Sequence, residues 1–518
     1  MVIKREVLHE QIYFYSLMIL LIGLPLSKFL MSISQIILLL NWIIEGRLAE
    51  KFRSFFKNRL ALILSSIFIL HLLGLLYTSN FNYALNDIRI KLPLLVFPLL
   101  LSTSPVLNSK QISVLLKVFV ASVMLASFVS MSVVLGIYKV KVEDFRRMSM
   151  FISHIRFALL ICIAIFSNIY LIRNAANKNE KYVLAAVTVW LTIFLFILQS
   201  FTGIIIVAFA FALYVLNIVW KEKRRIRRWI YLSVLFLIPL IGSFYVYSIY
   251  LKLEPKKDQQ MEKISSNNNV YSHFPEQKIT ENGYYIGWNI CWLEVEKAWN
   301  KRSEVDYTLR DKKGQFIETT LFRYLTSKGL KKDSASIASL SEDDIRKIER
   351  GVTNYKYADF NGLEAHIYQT LWEFKSYQDG ENPSGHSITM RLEFLKASKA
   401  VLKENWLFGV GTGDVNDVTL KKYEEIKTPL EKKYRLRAHN QYLTFAISFG
   451  VFGMIWFLFS MFYPLRFMKN EYYSLFVLFL VTASFSMLNE DTLETQAGVT
   501  FFSFFNSFFL FMGLNKKS

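Results

Sequence analysis

Lys221-Glu222-Lys223-Arg224-Arg225-Ile226-Arg227-Arg228 stands between two apolar runs, residues 202–220 and 229–251. Both runs are rich in Leu, Ile, Val and Phe and show no alternation of polar and apolar residues. Each is long enough for a bilayer core of about 30 Å, which takes roughly 17–25 helical residues. Two apolar helices joined by a basic turn read as a membrane hairpin whose turn stays in the cytoplasm, because Lys and Arg are retained there. This one stretch therefore predicts both the class of the protein and its orientation.

Similar apolar runs lie outward from it, at 11–27, 29–44, 60–77, 88–101, 111–137, 151–172 and 182–199 before the hairpin and at 437–463, 472–488 and 494–514 after it. Together they predict an all-α polytopic membrane protein of about twelve transmembrane helices, since an alternating pattern would be needed for a barrel. The run at 88–101 is short and contains Pro93 and Pro98, so it is read as kinked or re-entrant. Composition agrees: 53% of the 518 residues are hydrophobic and 45 are Phe, more apolar than soluble domains. The net charge of +20 would suggest nucleic acid in a soluble protein. Here it comes from loops such as Arg47–Arg59, Arg173–Lys181 and Arg466–Lys469, so membrane lipids and no nucleic acid are expected as partners. Met1–Glu10 has two basic residues and is not read as a removable signal peptide.

With those loops inside, the polar insertion 252–436 is expected outside, dividing the chain into a bundle (1–251), a loop domain (252–436) and a final group of spans (437–518). The insertion keeps Trp288, Trp292, Trp299, Phe322, Tyr324 and Trp372, enough apolar surface to fold as a mainly helical domain. Ser341-Glu342-Asp343-Asp344 reads as a helix start, and 388–407 has helical apolar spacing that would carry Arg391. Residues 265–269 and 379–385 read as mobile loops. Cys162 and Cys291, one in a span and one in the loop, predict neither a disulfide nor a metal site.

The stretch most suggestive of chemistry is Arg437-Ala438-His439-Asn440-Gln441-Tyr442-Leu443, where the polar insertion runs into an apolar helix. A histidine there suits general base work near pH 7, although interfacial anchoring is an alternative for all these residue types. Leu407-Phe408-Gly409-Val410-Gly411-Thr412-Gly413 precedes it, and Arg391-Leu392-Glu393 precedes that. The glycines lack the spacing and the strand-to-helix context of a nucleotide loop and read as a tight turn. This ordered set resembles the O-antigen ligase and polymerase superfamily, which transfers glycans from a polyprenyl diphosphate carrier outside the inner membrane. The similarity covers mainly 388–515, with weaker agreement in 151–220.

The resemblance implies a GT-C-like helical fold, a large periplasmic loop before the last spans, a histidine base and arginines on the donor diphosphate. Matched by motif, these are His439 as base, with Arg391 and Arg156 as diphosphate ligands. Guanidinium groups suit that task because they hold phosphate oxygens in bidentate fashion and stay charged. Where the family often has Ser-Arg, this chain has Gln199-Ser200-Phe201, so one phosphate contact is either missing or supplied elsewhere, by Arg146, Arg147 or Arg437. Asn440 and Tyr442 either orient the imidazole and contact a sugar or serve as helix-start and interface residues. His154 lies two positions from Arg156, on a different helix face. Glu490, in Asn489-Glu490-Asp491-Thr492-Leu493-Glu494, is the candidate partner for His439, the alternatives being a pair with arginine or a solvated turn.

The expected activity is metal-independent, cofactor-free inverting transfer of an undecaprenyl-diphosphate-linked glycan to a saccharide, with lipid A-core as the specific acceptor, in the bacterial inner membrane. A repeat-unit polymerase or a protein O-oligosaccharyltransferase would carry the same residues. A secondary transporter or flippase is the alternative of another class, but the unusual residues concentrate at one outer rim rather than at paired broken helices.

Overall fold

In the computed structural model the described residues are 2–137, 148–357, 363–468 and 470–512. They fall into two compact units, the first of Met1–Ile218, Arg391–Thr428 and Arg435–Ser518, the second of Val219–Met390 and Pro429–Tyr434. In chain order the helices are α1 (Val2–Leu26), α2 (Lys28–Ile44), α3 (Leu48–Lys57), α4 (Arg59–Leu73), α5 (Phe81–Lys91), α6 (Pro93–Thr103), α7 (Ser109–Val134), α8 (His154–Arg173), α9 (Lys178–Ile197), α10 (Phe201–Lys221) and α11 (Arg225–Tyr250). Strands β1 (Thr280–Glu281) and β2 (Tyr284–Tyr285) follow, then α12 (Trp292–Asn300), α13 (Ile317–Ser327), α14 (Ser334–Ala338), α15 (Glu342–Glu349) and α16 (Leu363–Gln378). The chain ends with α17 (Ser387–Asn405), α18 (Val415–Glu425), α19 (Gln441–Phe462), α20 (Tyr473–Asn489) and α21 (Gln496–Phe511).

The protein is an all-α polytopic membrane protein. Among the described residues eight helices are long and apolar enough to cross a membrane, and nine if α2 and α3, bent by 111°, count as one span. About twelve were expected. The other expected runs are helical but short: α20 and α21 are shorter apolar helices, and the run at 88–101 is split, α5 ending at Lys91 and α6 opening with Pro93. Proline has no N–H to continue the α5 ladder yet fits the first position of a new helix. Several helices start on asparagine: Asn58, Asn80, Asn108, Asn177 and Asn440 each accept an N–H of the first turn of α4, α5, α7, α9 and α19.

The core of the first unit is built around α8 and α21. Every residue from Ala497 to Phe511 is buried, including Phe501, Phe502, Phe504, Phe505, Phe508 and Phe509. A helix apolar on all sides belongs inside a bundle. Phe97 of α6 and Phe119 of α7 meet Phe504 and Phe505 edge to face, at 5.4 and 5.2 Å.

One span is broken. Gly450 in α19 has φ +66° and ψ −170°, far from helical values, and the carbonyls around it lose their partners in the helix. The run after α17 takes their place: Val410 N–H donates to Ile447 O (2.8 Å), Gly411 N–H to Ser448 O (2.9 Å), and Val451 N–H to Trp406 O (2.8 Å). Irregular backbone at membrane depth is tolerated only when protein satisfies it in this way. Glycine is needed for the approach, since a Cβ at Gly409 would lie 2.4 Å from Ser448 C and one at Gly450 2.0 Å from Leu407 O. The expected tight turn is thus a seam laid along a broken helix.

The second unit contains α11 and most of the polar insertion. Its core gathers Val295, Trp299, Ile317, Leu321, Leu325, Ile337, Ile345 and Ile348. Ser341 and Asp344 form a capping box at α15, at the expected helix start. Glu281 and Arg323, both buried, pair at 2.9 Å; Asn354 donates to Glu281 at 2.7 Å. Residues 265–269, expected as a mobile loop, form a tied turn instead: the Ser265 hydroxyl accepts from the N–H groups of Asn267 and Asn269 and donates to Glu294. Lys332 is buried with its ammonium donating to the carbonyls of Trp288 (2.9 Å) and Tyr285 (3.2 Å).

Candidate active site

The predicted residues His439, Arg391, Arg156 and Glu490 all belong to the first unit. Glu490 ends α20 and joins three of them. Its Oε2 lies 3.9 Å from His439 Nδ1 and its Oε1 lies 3.7 Å from an Arg391 terminal nitrogen. Arg156, in the first turn of α8, lines a narrow cleft with Glu490, Ile152, Leu159, Thr492 and Phe501. Burial raises the Glu490 carboxyl, but His439, Arg391 and Arg156 outweigh it and hold the group below its ordinary value. Both ion contacts exceed hydrogen-bond length, so the guanidinium of Arg391 and the imidazole keep capacity for another partner.

Helix α17 supplies a second contact that the sequence reading missed. Arg391 and Phe394 are three residues apart and so share a helix face. The Phe394 ring, itself buried, stacks on the His439 imidazole at 5.5 Å between centroids and 26° between planes. The spacing was visible, but nothing in it says what the face meets.

His439 sits on a left-handed backbone, with φ +46°. That is uncommon for a residue with a side chain and costs of order 1–3 kcal/mol, so the flanking residues must hold it. On one side Asn440 N–H donates to Asp491 Oδ1 at 3.1 Å and the Asn440 amide to Leu488 O at 3.0 Å, while Thr444 donates to Asp491 at 2.7 Å. On the other side Arg437 donates to Glu494 at 2.8 Å and to Tyr83 at 3.1 Å. Gln441 adds a contact to Glu494 at 3.2 Å and accepts from Leu493 N–H at 2.6 Å. Asn440 is thereby the helix cap and a loop anchor. Tyr442 turns away, its hydroxyl donating to Ser484 O at 3.1 Å.

Glu494 is the hub of a second charge cluster. Buried Lys91 donates to it at 3.1 Å and to Asp87 at 2.6 Å. His71, also buried, lines the same small space. The sequence signal for this cluster was Asp87 and Lys91 at i, i+4 where an apolar run begins, since ionisable residues at membrane depth are seldom incidental. Arg437 belongs here, on Glu494, and not beside Glu490. His154 is the first residue of α8, half-buried. Arg146 and Arg147 lie outside the described residues. Among the described residues no group of three or more His, Cys, Asp and Glu side chains is placed to hold a metal ion.

Comparison with known proteins adds one finding. A family model described as O-antigen ligase matches residues 343–458, a stretch containing Arg391, Phe394, the glycine seam and His439. The resemblance to the O-antigen ligase superfamily therefore stands, and it supports a glycan enzyme of the ligase or polymerase type. No curated protein matches the chain.

Proposed function

We propose that this protein transfers a glycan from an undecaprenyl diphosphate carrier to a saccharide hydroxyl, with lipid A-core as the acceptor, at the outer face of the bacterial inner membrane. The observation that carries this reading is the convergence of a histidine and an arginine on the two oxygens of Glu490, with a second arginine lining the same cleft. His439 takes the proton of the acceptor hydroxyl as its oxygen bonds to the anomeric carbon. The bond from that carbon to the diphosphate oxygen breaks with inversion, and Arg391 and Arg156 balance the departing anion. Glu490, facing Nδ1, steadies the imidazolium, leaving Nε2 to receive the proton. Arg437, already engaged by Glu494, anchors the histidine loop in this scheme.

The reading assumes a GT-C-like arrangement of about twelve crossings, in which residues 252–436 form a periplasmic insertion between the spans of 1–251 and 437–518. A cysteine at exposed Ser266 tests the orientation, both native cysteines being buried. It should react with a membrane-impermeant thiol reagent in intact spheroplasts; reaction only after lysis would reverse the topology. For the activity, purified protein is given the lipid-linked glycan with lipid A-core, with a second donor molecule, or with a Ser/Thr peptide. Transfer to lipid A-core is expected. Chain extension alone would make the protein a polymerase, and peptide modification a protein glycosyltransferase.

A further inference from the structure

We propose that the first unit holds an anionic phospholipid in a cavity at the basic ends of its helices, away from the glycan site. The cavity, of about 810 Å³, is lined by the α3–α4 corner (Ser54, Lys57, Asn58, Arg59, Leu60), residues 101–107 at and beyond the last turn of α6, Tyr13 in the middle of α1, and the ends of α19 and α21. That size falls within the range of ligand cavities, about 300–1,000 Å³.

Its chemistry divides into two parts. Lys57 and Arg59 are exposed and have no ion-pair partner among the described residues, and no acidic side chain is in the lining. Ser54, Ser102 and Ser104 add polar residues to the lining. Asn58 already caps α4, accepting from Leu60 and Ala61 N–H, so the two cations supply the attraction for an anion. Much of the remaining lining is apolar, with Leu101, Leu107, Phe508 and Phe511. An anion carrying hydrocarbon chains satisfies both kinds of lining; a soluble anion satisfies one.

Helix α3 points to the same ligand independently. It leaves α2 at 111°, which turns it away from the direction of the span. Phe52 and Phe56 are 41% and 66% exposed on it, beside exposed Arg53 and Lys57. Aromatic and basic side chains mixed on the exposed surface of a short helix suit the headgroup region of a bilayer. Basic residues there attract anionic lipids by about 1 kcal/mol each.

The test uses the full-length protein and vesicles with equal amounts of phosphatidylglycerol, phosphatidylethanolamine and phosphatidylcholine of matched chains. Lipids retained after detergent washing are counted by native mass spectrometry. One phosphatidylglycerol should be retained in preference, and the Lys57→Ala/Arg59→Ala double variant should lose that preference by roughly thirtyfold, about fivefold for each cation. An Arg227→Ala/Arg228→Ala double variant should retain it. Equal retention of phosphatidylcholine by the unaltered protein, an undiminished preference in the Lys57/Arg59 variant, or its loss in the Arg227/Arg228 variant would overturn the proposal. So would displacement of the lipid by equimolar glycerol phosphate, since an anion alone would then suffice.

Discussion

Glu490 and Glu494 are four residues apart and play opposite parts. The Glu490 side chain is about twice as exposed, 23% against 12%, and holds His439 and Arg391 at 3.9 and 3.7 Å. Glu494 holds Arg437 and Lys91 at 2.8 and 3.1 Å, within hydrogen-bond reach. Loose contacts leave cations able to turn to an arriving phosphate, whereas close buried ones are already satisfied and fix the backbone. The comparison teaches that an arginine's place in the sequence motif does not reveal its task; the carboxylate it has settled on does. Arg437, two residues from His439, lies with the fixed group, and distant Arg156 with the free one.

The strongest way to break this division is His439→Ala. It should reduce transfer by about 10²–10⁴-fold, the usual worth of general base catalysis, with the variant still folded and inserted, since the Glu494 and Asp491 anchors remain. Accumulated lipid-linked glycan in cells and slow turnover of purified protein are the readouts; near-normal transfer would remove the mechanism. Next comes Glu494→Gln. Leaving Arg437 buried beside a neutral amide, with Lys91 held by Asp87 alone, should cost about 3–5 kcal/mol of stability, seen as a lower melting temperature of the solubilised protein. A Gln variant as stable as the parent yet inactive would move Glu494 into the reacting group and erase the contrast.

Arginine-to-lysine exchanges sharpen it further. Arg391→Lys and Arg156→Lys keep the charge but lose the bidentate geometry, and a charge-assisted hydrogen bond is worth about 1.5–3 kcal/mol. Each should therefore lower use of the lipid-linked donor by roughly 10–100-fold without altering the melting temperature. Arg437→Lys should do the reverse, lowering the melting temperature more than turnover. If all three behaved alike, Arg437 would join the phosphate ligands.

The smallest effect concerns Lys332, a buried cation with no carboxylate partner among the described residues. Burial lowers its ammonium to about 7, against about 10.4 in an unfolded chain. Between these values the unfolded chain binds more protons, so the second unit should gain stability as pH rises from about 7 to about 10. Below about 7 the penalty is complete and constant. Lys332→Met should flatten that rise in a thermal melt followed by pH; an unchanged slope would mean the lysine stays charged on its two carbonyls.

Much of this was legible in the sequence because it depends on local pattern. Apolar length marked the helices, and the Ser341 capping box and the helix carrying Arg391 followed from spacing. His439, Arg391, Arg156 and Glu490 stand out in the sequence by residue type and place, and they share one unit. Span number was less accessible, since length and hydropathy do not show that Pro93 begins a new helix or that α20 and α21 stop short. The Lys91–Glu494–Arg437 cluster was hidden for another reason: its members are hundreds of residues apart or divided between elements, and no local pattern pairs them. Phe394 on His439 was hidden likewise, because a helix face is local but its neighbour is not.

The seam at Gly450 makes α17 and α19 act like the legs of a pair of compasses. Trp406 and Val410 are pinned to α19 at Val451 and Ile447, and from that pivot one leg reaches back to Arg391 and the other to His439. The gap between His439 and Arg391, the proposed base and phosphate ligand, is therefore set at the pivot as well as at the tips. A methyl group forced in at Gly409 would press on Ser448 and Phe449 and open the legs, so that a change made at the pivot would be felt at His439 and Arg391.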